Sequence, residues 1–141
     1  MPRYAARRVL LASLEDVWTF LAEPYHLADW WPGISGVQPD RRGLAPGARW
    51  QVIGPNQPSW LRKPQMTGAL LVLEARPAER LAFQLVNERI DAELDLRALD
   101  AGRTEAILTV ETPLFVGVRR SFPARALGRL YDLVQTAAEP D

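Results

Sequence analysis

The sequence predicts an α+β fold: a curved antiparallel sheet of about seven strands wrapped around a long C-terminal helix, with two short helices after the first strand. Three observations carry this. Asp91, Glu93, Asp95 and Arg97 alternate with Ala92, Leu94, Leu96 and Ala98, the pattern of an antiparallel strand wet on one face. Turn-forming clusters divide the chain between residues 34 and 112 into several short runs of this kind. The last apolar repeat is helical instead, with Ala124, Leu127, Leu130, Tyr131 and Val134 on one face and Arg125, Arg129 and Asp132 off it.

Taken in order, residues 3–11 read as a strand ending in Val9, Leu10 and Leu11. Ser13 has the character of a helix N-cap, with Asp16 three residues on to complete a capping box. Glu15 and Asp16 suit the positive end of the helix dipole. Val17, Trp18, Leu21 and Ala22 give that helix its apolar stripe. Pro24 opens a second short helix over about 24–29, which Pro32 and Gly33 end after Trp30 and Trp31. These two tryptophans are adjacent, so one is expected inward and the other at a rim.

A short irregular strand over 34–40 follows, then a turn from Gly43 to Gly47 and a strand from Arg49 to Ile53. Residues 54–65 hold three prolines and read as an open loop. Met66 to Glu74 is an apolar strand, and Arg76-Pro77-Ala78-Glu79 turns it into a strand from Arg80 to Glu88, with Leu81, Phe83 and Leu85 facing one way. Asp100-Ala101-Gly102 joins the alternating strand to its partner, Thr104 to Thr112. Ser121 and Pro123 suit the start of the final helix. No linker or repeat divides the sequence, so residues 1–141 are expected to form one domain.

A sheet with one wet face must bury the other, and the final helix is the element long enough to cover it. Such a sheet cannot close around one helix at both ends. The space left over predicts an apolar cavity bounded by sheet residues, the helix stripe and the two short helices.

Composition narrows the function. The chain has 141 residues, 48% of them hydrophobic, which is enough for a core without disulfide or metal staples. There is no cysteine, which excludes disulfides, thiolate metal sites and a cysteine nucleophile. The single histidine, His26, excludes a multi-histidine zinc site. Net charge is zero, and the basic pairs Arg7-Arg8, Arg41-Arg42 and Arg119-Arg120 are scattered, so no nucleic-acid partner is expected. Arg3, Arg7 and Arg8 break the early apolar residues, and no run approaches the ~20 apolar residues of a membrane span. A cytoplasmic protein without membrane insertion is the expectation. Neither GxSxG, nor a P-loop, nor a dinucleotide fingerprint occurs, so no nucleotide or metal cofactor is expected.

Several phrases resemble the START-like superfamily, also described as the Bet v 1-like or polyketide cyclase/dehydrase (SRPBCC) group. They are Ala12-Ser13-Leu14-Glu15-Asp16-Val17-Trp18-Thr19-Phe20-Leu21, Leu27-Ala28-Asp29-Trp30-Trp31-Pro32-Gly33-Ile34, Pro77-Ala78-Glu79-Arg80-Leu81-Ala82-Phe83 and Gly102-Arg103-Thr104. Their order and spacing span most of the sequence. The resemblance implies the helix-grip fold and binding of lipids, polyketides, sterols or other apolar molecules, without fixing one reaction.

Binding of a small hydrophobic or aromatic molecule is therefore the first expectation. A cyclase, aromatase or dehydrase using the same cavity is the alternative. Trp18, Trp30, Trp31, Trp50, Phe83, Leu94, Leu127 and Tyr131 are the expected ligand-facing side chains. Trp60, on the proline-rich loop, either closes the pocket mouth or packs as ordinary surface. Arg49, Arg62 and Lys63 are candidates to hold a carboxylate near the opening. An enzyme would need an acid or base, and His26, Glu88 and Tyr131 are the groups available. Glu88 is read either as part of a solvated turn with Arg89 and Asp91, or as pointing from its strand into the cavity. Monomer and homodimer both remain open.

Overall fold

The computed structural model describes residues 2–54, 67–113 and 119–138. Their elements run β1 (Arg3–Leu10), α1 (Leu14–Ala22), a 3-10 turn (Pro24–His26), α2 (Leu27–Trp30), β2 (Gly36–Gln38), β3 (Arg49–Ile53), β4 (Thr67–Arg76), β5 (Arg80–Leu85), β6 (Ile90–Asp100), β7 (Arg103–Glu111) and α3 (Phe122–Ala138). The strands form one seven-stranded sheet in the order β1-β7-β6-β5-β4-β3-β2, every pairing antiparallel. β2 to β7 is a meander, and β1 closes onto β7 with Leu10 opposite Thr104 and Arg3 opposite Glu111.

Two bulges help curve this sheet. Leu73 is the extra residue between Val72 and Glu74, and Leu99 the extra residue between Ala98 and Asp100. Both side chains are exposed, Leu73 although the run from Met66 to Glu74 reads as an apolar strand. An inserted residue bends its strand and increases the local twist. It also lets Val72 keep its place in the core while Glu74 takes the outer face.

The inner face carries the core. Leu70, Val72, Leu81, Phe83, Leu94, Ala106, Leu108 and Val110 are buried on the strands. Val17, Phe20 and Leu21 are buried on α1, so Phe20 replaces Trp18 in the stripe expected there. Trp18 is only half-buried and packs against the core from its margin. Ser13 caps α1 as expected, its Oγ accepting from the Asp16 amide at 3.1 Å.

α3 packs against β1 and β7, with α1 and α2 beside it. Its buried face is Pro123, Ala126, Leu127, Leu130 and Val134, and Ala124 is exposed. The phase differs from the expected one by a turn at its start, because alanine is too weakly hydrophobic to fix a helix face. α3 does not cover the sheet alone. Trp30 and Trp31 fill the space over the middle strands, both about 1% exposed. The expectation that one of them lies at a rim fails for a backbone reason. Trp30 is the last residue of α2, whereas Trp31 is extended (φ −90°, ψ 111°), and this break turns both indoles inward. They meet edge-on, with centroids 5.6 Å apart.

Between β2 and β3 the backbone is anchored by Asp40. Its Oδ1 accepts from the Arg42 amide and its Oδ2 from the Arg49 amide, both at 2.9 Å. The Arg49 hydrogen bond is the chief reason that the Asp40 carboxyl lies below its ordinary range. A depressed carboxyl contributes stability above its ordinary pKa and loses it as pH falls through the lowered value. The Asp40→Ala variant should therefore show faster amide hydrogen exchange at Arg42 and Arg49 at neutral pH. Acidification of the wild type should reproduce that state. Unchanged exchange at both amides would dismiss the anchor.

Candidate functional site

The curved sheet leaves one sizeable cavity among the described residues that has an apolar interior, and it lies at one end of the fold. Its volume is about 260 Å³. One wall is the segment after α2: Trp31, Pro32, Gly33 and Ile34. Gly33 supplies the positive φ of 94° that lets this segment turn back. Ser35 then ties it to the end of β3, its amide donating to the Ile53 carbonyl at 2.9 Å and its hydroxyl to the Gly54 carbonyl. The opposite wall consists of strand ends: Val52, Ile53 and Gly54 from β3, Gly68 from β4, Leu85 from β5 and Ile90 from β6. Phe122, at the start of α3, closes a side.

Among the described residues, the polar side chains lining the cavity are those of Asn87 and Glu88, on the turn between β5 and β6. β5 stops at Leu85, so Glu88 lies on this turn and not on the strand that its alternation suggested. The Val86 amide donates to the Ala69 carbonyl, and the Arg89 amide to the Val86 carbonyl. Asn87 Oδ1 accepts from the Ala69 amide at 2.9 Å. A Cβ on Gly68 would stand 3.1 Å from that oxygen, so glycine there lets the turn close onto β4. Sequence reading missed Asn87; its signal was an asparagine within a turn, a residue type that often bonds nearby backbone.

The other expected site residues are dispersed. Trp30, Trp50 and Phe83 border a separate void of only about 10 Å³, room for about one water molecule. The centre of the fold is thus filled by side chains. Trp50 donates from Nε1 to the Gly43 carbonyl at 2.8 Å, which fixes it to the loop before β3. Leu94 and Leu127 are core residues that border neither space. Trp18 also lies away from both. Among the described residues, Trp31 is the one expected aromatic side chain that borders the end cavity, and it stands between that cavity and the filled centre. Its ring meets Phe83 at 5.1 Å and Phe122 at 5.0 Å, both edge-on.

The three candidate acid–base groups do not converge. His26 stacks on Phe20 with ring centroids 4.1 Å apart, and its Nδ1 lies 2.7 Å from the Phe20 carbonyl oxygen. That carbonyl belongs to the last turn of α1, so the His26 ring caps the C-terminal end of that helix. Tyr131 is half-buried beside β1, under the Arg8 guanidinium at 4.3 Å from its ring centroid. Only Glu88 borders the cavity. Arg49 is exposed and lines neither space, while Trp60, Arg62 and Lys63 lie outside the described residues. Among the described residues no cluster of three histidine or carboxylate groups is placed to hold a metal ion. No described helix is long and apolar enough to cross a membrane.

No protein-family model matches the sequence, and no curated protein does. Solved structures do match it along its length. Protein CV1439 from Chromobacterium violaceum is 16% identical with a TM-score of 0.70, over 100% of both proteins. A START superfamily protein from Mycobacterium smegmatis is 10% identical with a TM-score of 0.67, over 96% of both proteins. The di-domain ARO/CYC BexL of the BE-7585A biosynthetic pathway is 15% identical with a TM-score of 0.70, over 99% of this protein and 48% of BexL. Identities this low speak for the fold alone. With its seven antiparallel strands, its short helices after β1 and its C-terminal helix, the protein has the helix-grip fold of the START/Bet v 1-like (SRPBCC) group.

Proposed function

We propose that this protein is a single binding domain for a small apolar or aromatic molecule, which occupies the end cavity beside Trp31. The observation that carries the reading is an unfilled space of about 260 Å³ with apolar walls in a fold whose centre is otherwise packed. Protein interiors close such spaces unless something else fills them. The volume is slightly below the ~300–1,000 Å³ typical of ligand sites, so the ligand is compact: one to three rings, or a short aliphatic tail. A long lipid or a multi-ring polyketide would need the volume that Trp30, Trp50 and Phe83 occupy.

Binding without catalysis is the reading favoured here. Acid–base chemistry on a bound molecule needs its groups within hydrogen-bond reach of the reacting atoms. His26 and Tyr131 are engaged elsewhere, so of the three candidate groups Glu88 alone reaches the ligand space.

Native mass spectrometry of freshly purified protein should reveal a bound small molecule, and N-phenyl-1-naphthylamine should bind with enhanced fluorescence. Val52 lines the cavity from β3 and is buried. The Val52→Phe variant should place its ring in that space and weaken probe binding by about tenfold or more, while the far-ultraviolet circular dichroism stays unchanged. Absence of any bound mass together with a probe that ignores Val52→Phe would defeat the reading.

A further inference from the structure

We propose that the ligand carries a cationic nitrogen, an ammonium or protonated amine, which the Glu88 carboxylate holds at the cavity rim. This rests on the reading of the cavity as a ligand site and adds the chemical class of its occupant.

Among the described lining residues, Glu88 is the one ionisable side chain and Asn87 the one other polar side chain. The Asn87 carbonyl oxygen is committed to the Ala69 amide. The Glu88 carboxylate has no hydrogen-bond or ion-pair partner among the described residues. Asp91 and Glu111 likewise lack an arginine among the described residues, but five other acids of the sheet are paired. Glu74, Glu93, Asp95, Asp100 and Glu105 each have an arginine within 4.0 Å. Arg89 follows Glu88 directly but does not pair with it, its backbone lying in the left-handed region at φ 58°. The turn that carries Glu88 is pinned at both ends by the Ala69 and Val86 hydrogen bonds, so the carboxylate is presented from a fixed base.

The chemistry of such a site discriminates by charge. A ligand carboxylate would face a like charge. A neutral ligand would gain only apolar contact. An ammonium would donate a charge-assisted hydrogen bond to the Glu88 carboxylate while its apolar body lies against the opposite wall. Arg49, expected to bring positive charge to the opening, stands outside the lining, so the charge the described residues bring is negative.

The test uses three probes with one two-ring body: 2-naphthylmethylammonium, neutral 2-ethylnaphthalene and anionic 2-naphthylacetate. Each competes with N-phenyl-1-naphthylamine on the full-length protein and on Glu88→Gln. The ammonium should bind about fivefold tighter than the neutral probe and the anion more weakly than either, the modest range expected of a solvent-accessible charge pair. Glu88→Gln should erase the ranking and leave the neutral affinity within about twofold, since an exposed residue on a turn contributes little to folding. A flat ranking on the wild type, or a ranking that survives Glu88→Gln, overturns the charge assignment while the apolar reading stands. If the naphthylamine and all three probes fail to bind, the cavity reading falls and takes the assignment with it.

Discussion

Trp31→Ala should lower the stability of the protein by about 4 kcal/mol, enough to shift thermal unfolding by roughly 10 °C or more. Trp31 is fully buried and meets three other aromatic rings, Trp30, Phe83 and Phe122. Removing it forfeits the transfer of an indole from water and opens a hole that its neighbours cannot refill. Those neighbours are held by other contacts, so collapse would be partial. The hole would also join the end cavity to the packed centre, because Trp31 stands between them. Urea unfolding checks the first effect. A two-ring and a five-ring apolar probe check the second: the wild type should prefer the smaller, and the variant should accept both. A stability loss under about 1 kcal/mol would mean that Trp31 is not the keystone of this packing.

Arg80→Ala should cost about 2 kcal/mol at neutral pH, less than a fully buried ion pair because the cluster keeps some access to water. Arg80 stands on the outer face of β5, its side chain 20% exposed. Its Nε reaches Glu74 at 3.0 Å, its Nη2 reaches Glu93 at 3.1 Å and its Nη1 reaches Asp95 at 2.6 Å. The hydrogen bond to Asp95 is the largest of the influences that raise the Arg80 pKa above its ordinary value. A raised pKa contributes stability below the ordinary value and loses it only as pH climbs through the folded one. That window is strongly alkaline, so the deficit of Arg80→Ala should be flat across neutral pH. On the acid side it should shrink, because protonated carboxylates no longer need the guanidinium. Arg80→Lys should recover only part of the loss, since one ammonium cannot span three carboxylates in a plane. A variant as stable as the wild type at pH 7 would show that the cluster is surface decoration.

Much of this fold was legible because the sequence repeats the same physical instruction at several scales. Ala92, Leu94 and Leu96 alternate with acids, and the structure buries all three. Ser13, Pro77 and Asp100-Ala101-Gly102 marked ends and turns that the backbone uses. The site was harder to read. Alternation carried Glu88 along β5, but pairing with β4 ends at Leu70 opposite Leu85, and the backbone then turns. The adjacent indoles of Trp30 and Trp31 were assigned by a regular period, whereas the backbone changes conformation between them. Which aromatic rings fill the centre and which border the empty end depends on how distant strands meet. No local pattern encodes that.

The pairing of β1 with β7 sets assembly order against synthesis order. β1 leaves the ribosome before any other described strand, yet the strand it pairs with is β7, the last of the described strands to be made. Until translation has passed Glu111, the Arg3–Leu10 segment has no ladder to join, and the Pro2 carbonyl must wait for the Thr112 amide. The three arginines of this waiting segment, Arg3, Arg7 and Arg8, give it a like-charge repulsion that discourages two nascent polypeptides from zipping together in the interval.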